Sequence, residues 1–251
     1  WYVDTYCFQS KSLIVTVPDK VFYVKPENIK DGMFFLCELE SHHALKVLRL
    51  IPGNTITLID GKSTGYLGII QKVKSKILSG TIKSIFKNFG ENKNILNISP
   101  ALFKKNRFEV LIEKATELGV KEIHPILMER SVKNSVNIDR CNKIIISAAK
   151  QCRRSFFPII HAPKDLHTLL KNQNSCKNYA CHIGADFGLT FYKNINENPS
   201  NIIFGPEGGF TELELKMMAE KGVSFFNLGS RRLRSETAGI ASIALFNELS
   251  N

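Results

Sequence analysis

Short runs of β-branched and aromatic residues, separated by turn sequences, fill the first third of the chain and predict a mainly β domain. One short helix is predicted among them over residues 41–50, with Ser41 as its N-cap. Residues 87–94 are polar and contain a glycine, which is typical of a linker. The predicted strands are residues 13–17, 33–39, 55–59, 66–73 and 77–86.

From residue 95 onward, apolar strand-like runs alternate with segments of helical periodicity. This alternation predicts an α/β domain with a mainly parallel sheet and crossover helices. The last helix, residues 236–249, is apolar or small nearly all round, so we expect it to be buried in the domain or against a second subunit. The predicted strands are 95–102, 122–128, 179–184, 201–204 and 224–228, and the other helices are 104–118, 139–154 and one opened by a capping box of Thr211 and Glu214.

Two loops near the C-terminus each follow a short apolar run and precede a helix-like stretch. The first, residues 205–210, reads GPEGGF, and the second, residues 228–238, reads LGSRRLRSETA. Such loops are where an α/β protein usually holds a ligand. The sequence contains neither GxGxxG nor GxxxxGK[ST], which argues against a Rossmann dinucleotide site and a P-loop.

The residue types in these loops suit close contact with a polar or anionic ligand. Gly205, Gly208 and Gly209 let the backbone approach a ligand and present its N–H and C=O groups. The arginines of the second loop suit phosphate or carboxylate recognition. The alternatives are a tight capped turn and a solvated basic turn. Leu233, set among the arginines, favours a loop folded onto protein or ligand.

The chain has 251 residues and a net charge of +11, from 34 Lys and Arg against 23 acids. This excess favours a polyanionic partner, either nucleic acid or an acidic membrane surface, although a lysine-rich solubilising surface is an equal alternative. The 6 cysteines form no C-x-x-C pair and no metal-ligand spacing, which predicts free thiols, no metal and a cytoplasmic protein. Because no apolar run approaches membrane-spanning length and no signal peptide is visible, we expect no membrane partner.

Several segments, in the same order, match a known family. The chain resembles the 16S ribosomal RNA uridine-N3 methyltransferases, the RsmE family of the trefoil-knotted SPOUT superfamily. Departures from the family pattern are Arg153 in place of a common glycine, Ser235 in place of threonine, Arg232 in place of a β-branched residue, and a non-basic N-terminus. The matching segments are HALKVLRL at 43–50, EKATELGV at 113–120, Pro125 with ERS at 129–131, AAKQC at 148–152, and the two loops.

The resemblance implies a PUA-like RNA-binding β-barrel domain over residues 1–86 and a trefoil-knotted SPOUT methyltransferase domain over residues 95–251. It also implies a homodimer that acts on 16S ribosomal RNA or the small ribosomal subunit in ribosome biogenesis. The implied cofactor is S-adenosylmethionine, bound in a bent conformation between the two loops. The residues implied to bind it are Phe204, Gly205, Pro206, Gly208, Gly209, Leu228, Gly229, Leu233 and Arg234.

The implied reaction is attack of uridine N3 on the sulfonium methyl, which needs removal of the N3 proton and stabilisation of the developing anion. We expect Arg234 to be the catalytic cation, with Glu207 or Glu236 orienting it or accepting the proton. For Glu236, a purely helix-stabilising role is an equal alternative.

Basic residues predicted to contact RNA occur in both domains. His43, Lys46 and Arg49 share one face of the predicted short helix, and the alternative is an ordinary surface with Val47 and Leu50 facing the core. Competing functions are a non-catalytic RNA-binding or ribosome-assembly protein and a SPOUT ribose 2′-O-methyltransferase. The complete set of predicted RNA contacts is His43, Lys46, Arg49, Lys104, Lys105, Arg107, Arg154 and Arg231.

Overall fold

The computed structural model describes residues 17–172, 176–191 and 199–250. The predicted strand 13–17 lies outside these residues except for Val17. The chain divides into two compact units, one within residues 1–91 together with 149–157, and one comprising 92–148 and 158–251. The predicted domains were each continuous in sequence, whereas residues 149–157 belong to the first unit.

A sheet of six strands forms the first unit, in the order β1-β4-β5-β6-β3-β2. Its pairings are antiparallel except that of β1 with β4. Its core consists of buried apolar side chains that include Phe22, Phe34 and Leu58. Three of the predicted strands are confirmed to within two residues, whereas the one predicted over 33–39 ends at Phe35. The strands are β1 Val21–Tyr23, β2 Ile29–Lys30, β3 Met33–Phe35, β4 Thr55–Ile59, β5 Thr64–Lys74 and β6 Ile77–Lys87.

The helix of the first unit begins earlier than predicted. Helix α1 spans Glu38–His42 and continues as a π-helical turn over His43–Val47. The prediction of Ser41 as an N-cap is wrong, because Ser41 is buried inside the helix. Its hydroxyl oxygen instead accepts a hydrogen bond from the backbone N–H of Leu78, at 3.0 Å. The serine therefore joins the helix to strand β6.

A parallel sheet of six strands forms the second unit, as the alternating pattern predicted. Its order is β10-β8-β7-β13-β12-β14, and β9 pairs with β11 in a separate two-stranded sheet. The predicted strand 122–128 is interrupted at Pro125 and becomes β8 and β9. The strands are β7 Leu96–Pro100, β8 Glu122–Ile123, β9 Ile126–Leu127, β10 Ile159–Ile160, β11 Lys164–Asp165, β12 Lys177–Cys181, β13 Ser200–Phe204 and β14 Ser224–Phe226.

The four predicted helices of the second unit begin close to their predicted positions, whereas α4 was not predicted. The capping box is confirmed, because the Thr211 hydroxyl oxygen accepts from the Glu214 N–H while the Glu214 carboxylate accepts from the Thr211 N–H at 2.8 Å. In the last helix, Ile243 and Phe246 are buried but Ala244 and Leu249 are exposed, so a single chain covers only part of its surface. Among the described residues, no helix is long and apolar enough to cross a membrane. The helices are α2 Lys105–Glu117, α3 Ile138–Cys152, α4 Leu166–Asn172, α5 Glu212–Glu220 and α6 Ser235–Ser250.

Two ion pairs, one partly buried and one fully buried, hold residues 149–157 within the first unit. The ammonium of Lys150 donates to both carboxylate oxygens of Glu40, at 2.6 and 2.8 Å. The guanidinium of Arg154 pairs with Glu91, and the two side chains are only 1% and 2% exposed. Charges this deeply buried are tolerated only when they are paired, so loss of either partner would destabilise the unit.

Candidate active site

The two glycine- and arginine-containing loops line one cavity of about 650 Å³ in the second unit. They leave β13 and β14 at the same edge of the sheet, because parallel strands end on the same side. Strand β12 lies between these two strands, so residues 181–183 at its end form the floor between the loops. The loops are therefore opposite walls of one site, separated by a strand that comes before both in sequence.

Two arginines fix the shape of the first loop. One guanidinium nitrogen of Arg130, Nη1, donates to the carbonyl oxygens of Gly208 and Phe210, at 2.9 and 3.3 Å. A β-carbon on Gly208 would lie 3.1 Å from Cδ of Arg130, so the glycine lets this side chain lie close against the loop. Arg232 in the second loop donates from Nη2 to the carbonyl oxygen of Glu207 at 3.1 Å. Arg232 thus joins the two walls rather than facing only solvent.

The side chain of Asn227 anchors the start of the second loop through two hydrogen bonds. The side-chain oxygen of Asn227 accepts from the backbone N–H of Gly229 at 3.0 Å, and its amide nitrogen donates to the carbonyl of Ala185 at 2.6 Å. This anchoring places Leu233 and Arg234 on the cavity wall, both exposed. An apolar side chain and a guanidinium are therefore available there to contact a ligand.

Glu207 of the cavity and Glu236 beside it both pair with Arg107, which was predicted to contact RNA. Nη1 of Arg107 lies 3.6 Å from Oε1 of Glu207, and its Nε lies 3.6 Å from Oε1 of Glu236. Among the described residues, no ion pair joins Arg234 to either carboxylate. In this structure both carboxylates face Arg107, so an orienting role of Glu207 or Glu236 toward Arg234 stays a prediction.

Cys181 and His182 close the floor of the cavity at the end of β12. Burial raises the pKa of the Cys181 thiol to about 11, so it stays protonated at neutral pH and is a poor nucleophile. The ring of His182 lies against Phe210, with 6.1 Å between ring centroids. These side chains shape the floor of the cavity, and the Cys181 thiol contributes no charge there at neutral pH.

One cluster of potential metal ligands occurs among the described residues, outside this cavity. Glu122, His124 and His161 bring their ligand atoms within 4.8 Å of one another. The imidazole rings stack at 4.3 Å with an angle of 9°, and Nε2 of His161 lies 2.7 Å from the Glu122 carboxylate. A metal ion bound by two imidazoles lies close to the plane of each ring. Two parallel, stacked rings have no such point in common, so they do not bind one ion together. The contacts are those of a hydrogen-bonded cluster.

The sequence comparisons agree with this architecture. Residues 91–247 match the RNA methyltransferase domain family, and residues 34–83 match the RNA methyltransferase PUA domain family. Ribosomal RNA small subunit methyltransferase E of Rickettsia conorii is 32% identical over 206 residues, which cover 81% of this chain and 84% of that protein. The chain belongs to the ribosomal RNA small subunit methyltransferase E family. The Mesomycoplasma hyopneumoniae member is 31% identical over 84% of this chain and 92% of its own length.

Solved structures of methyltransferase E and a related protein have the same fold. The enzyme from Neisseria gonorrhoeae, bound to S-adenosyl methionine, aligns with a TM-score of 0.84 at 27% identity, over 92% of this chain and 97% of that one. A putative methyltransferase from Legionella pneumophila, solved with the same cofactor, aligns with a TM-score of 0.82 at 26% identity, over 92% and 98%. The fold class is thus confirmed as a trefoil-knotted SPOUT domain with an N-terminal PUA-like β-barrel domain.

All residues predicted to bind the cofactor line the cavity. They comprise Phe204, Gly205, Pro206, Gly208, Gly209, Leu228, Gly229, Leu233 and Arg234. Glu207 also lines it, and Glu236 joins it through Arg107. The structure brings these side chains together, while their individual roles in this methyltransferase E family member stay predictions.

The predicted RNA contacts of the first unit do not share a regular helical face. The ring of His43 packs against that of Phe22, 5.9 Å between centroids, whereas Lys46 and Arg49 are exposed. The helix ends at Val47, and Arg49 lies beyond it in a left-handed conformation with φ 54°. Of the two residues that the alternative placed toward the core, Leu50 is buried there at 3% exposure, whereas Val47 is 61% exposed.

The predicted RNA contacts that follow residue 100 differ in how exposed their side chains are. Lys104 and Arg231 are exposed, and Lys105 opens α2 with a side chain outside the described positions. Arg107 is half-buried in the cavity. Arg154 is a correction, because a guanidinium that is 1% exposed and paired with Glu91 does not contact RNA.

Sequence reading missed the roles of Arg130, His182 and Arg107 in the cavity. The signal for His182 was its position directly after a strand of the parallel sheet. For Arg130 the sequence offered no signal beyond the local segment ERS, because the carbonyls to which it donates lie about 80 residues further along the chain.

Proposed function

We propose that this protein is an S-adenosylmethionine-dependent methyltransferase that methylates N3 of a uridine in small-subunit (16S) ribosomal RNA. One observation carries the proposal: every predicted cofactor residue lines a single cavity in a chain of the methyltransferase E family. The cavity suits this cofactor. Its walls combine apolar side chains for an adenine ring, loop backbone for polar edges, and the Glu207 carboxylate for a cationic ligand.

The residues of the cavity divide the proposed chemistry among them. When bound, the cofactor supplies an electrophilic methyl group on a sulfonium. Arg234, exposed on the wall, stabilises the negative charge that develops on the uracil ring as N3 loses its proton. Glu207 or Glu236 accepts that proton, because each has a buried carboxylate oxygen with no hydrogen-bond donor among the described residues. The loops hold the two reactants in line.

The proposed RNA partner is consistent with charge and domain content. The net charge of +11 favours binding to phosphates, and the PUA domain match covers part of the first unit. Lys46, Arg49, Lys104 and Arg231 are the exposed candidates for these contacts. A substrate in the small ribosomal subunit implies a cytoplasmic role in ribosome biogenesis.

We also propose a homodimer, supported by the incompletely covered apolar surface of α6. Light scattering of the purified protein is expected to give twice the chain mass. A fully active monomer would contradict this part of the proposal.

Two measurements test the function. Isothermal titration calorimetry should detect saturable binding of S-adenosylmethionine by the purified protein. Mass spectrometry of nucleosides from undermethylated small subunits treated with protein and cofactor should then find new N3-methyluridine. Failure to bind the cofactor would support a non-catalytic RNA-binding or assembly protein, and a 2′-O-methylated product would support a ribose methyltransferase.

A further inference from the structure

Arg107 joins two carboxylates that come from different parts of the second unit. Arg107 lies in the first turn of α2, Glu207 in the first loop, and Glu236 in the first turn of α6. The guanidinium is 3.6 Å from an oxygen of each. Among the described residues, no other cation forms an ion pair with either carboxylate. One positive charge therefore separates and partly neutralises two negative ones.

Arg107 pairs with both carboxylates, but some of their oxygens still have no hydrogen-bond donor among the described residues. Both oxygens of Glu207 and Oε2 of Glu236 are buried and accept no hydrogen bond from any described residue. Burying a charged acceptor without a donor is unfavourable unless a ligand supplies one. The three groups also carry a net negative charge, which suits a ligand that is cationic and rich in N–H or O–H donors.

We propose that Arg107 is a positioning residue of the cofactor site: its guanidinium, anchored on Glu236, fixes Glu207 so that the open oxygens of Glu207 accept hydrogen bonds from S-adenosylmethionine. This inference rests on the proposed function for the identity of the ligand. It replaces the prediction that Arg107 contacts RNA phosphates. Arg107 acts through the two carboxylates and contributes to cofactor binding before RNA arrives.

A double-mutant cycle on cofactor binding, measured by calorimetry without RNA, tests this coupling. Arg107→Gln removes the group that holds both carboxylates in place, so we expect the loss of positioning to outweigh the added negative charge and the Kd for S-adenosylmethionine to rise about tenfold. In a Glu207→Gln/Glu236→Gln background, the same change should alter the Kd by less than about twofold, because the groups through which Arg107 acts are gone. Arg107→Lys should fall between Arg107→Gln and the unchanged protein.

Arg140→Gln is the matched control. Arg140 pairs with Glu109, which lies on the same helix as Arg107, and neither Arg140 nor Glu109 lines the cofactor cavity. Removing this exposed arginine changes the protein's charge equally and should leave cofactor affinity within about twofold. RNA binding without cofactor, followed by fluorescence anisotropy, should likewise stay within about twofold in Arg107→Gln.

Other outcomes overturn the inference. Unchanged cofactor affinity with weaker, salt-sensitive RNA binding would return Arg107 to the RNA surface. Equal losses in both backgrounds would mean that Arg107 acts independently of the carboxylates. If Arg107→Gln does not fold, the cycle is run with Arg107→Lys, where an effect of equal size in both backgrounds is the contradicting result. Cofactor coupling without any N3-methyluridine product would leave this inference standing and reject the proposed reaction.

Discussion

The carbonyl oxygen of Arg153 lies 2.4 Å from the point where a β-carbon on Gly90 would stand. Both residues have left-handed backbones, with φ 71° at Gly90 and 61° at Arg153. The contact lies beside the buried pair of Arg154 and Glu91, within the first unit. Only a residue without a side chain fits at position 90, so the close approach of these two segments depends on this glycine.

Gly90→Ala should therefore destabilise the first unit by about 2–4 kcal/mol, since a clash with backbone adds to the left-handed strain. Gly53→Ala is the control, because Gly53 has φ 94° with open space around it and should cost only about 1 kcal/mol. Urea unfolding of both variants provides the comparison. Equal losses would show that the Arg153 carbonyl moves aside without cost.

Arg153 itself has a strained backbone that glycine would relieve. Its side chain pairs with Asp19, so a single substitution mixes lost contacts with relieved strain. Comparing Arg153→Gly with Arg153→Ala removes this ambiguity, because both lose the same side chain. We expect the glycine variant to be more stable by about 1 kcal/mol in urea unfolding. An alanine variant of equal or greater stability would contradict the strain.

Arg130→Ala should weaken cofactor binding by about tenfold, because two carbonyls of the first loop lose their charged donor. Calorimetry with S-adenosylmethionine measures the change. Arg130→Lys keeps the charge but not the geometry of the donors, so it should recover only part of the affinity. A Kd unchanged in both variants would mean that the loop keeps its shape without this arginine.

Arg234→Ala should lower kcat by about a hundredfold, with a much smaller loss of cofactor affinity, if its guanidinium stabilises charge on the base. Arg231→Ala is the matched comparison, since Arg231 is an exposed arginine of the same loop. It should raise KM for RNA in a salt-dependent way with little change in kcat. Full turnover of Arg234→Ala with intact cofactor affinity would reject the catalytic role.

Local sequence rules predicted the parts of this fold that depend on neighbours in the chain. The Thr211 capping box was predictable because its two partners are three residues apart. The lining of the cavity was largely predictable because most of it comes from two continuous loops. Ser41 was misassigned as an N-cap because its hydroxyl oxygen accepts a hydrogen bond from Leu78, on a strand distant in sequence. Arg154 was misassigned because its charge is matched by Glu91, a partner that only the folded chain brings near.

His124 should make the second unit less stable in mild acid. Burial lowers the pKa of its imidazole to about 4, with a smaller contribution from His161, while Lys164 also lowers it and Glu122 opposes the shift. An unfolded histidine has a pKa of about 6.5. Between these values the unfolded chain binds a proton that the folded chain does not, so stability is lost as pH falls from about 6.5 toward about 4 and is fully present above that window.

His124→Gln removes this proton linkage. The free energy of unfolding of the unchanged protein, minus that of the variant, should rise by about 1–2 kcal/mol between about pH 4.5 and about pH 7.5. Urea unfolding across this range measures the difference, and proton NMR of the ring of His124 gives its pKa directly. His161 and Glu122 remain in both proteins, so their titration largely cancels. Parallel stability curves, or a ring that titrates near the unfolded value, would mean that His124 is accessible to protons in the folded state.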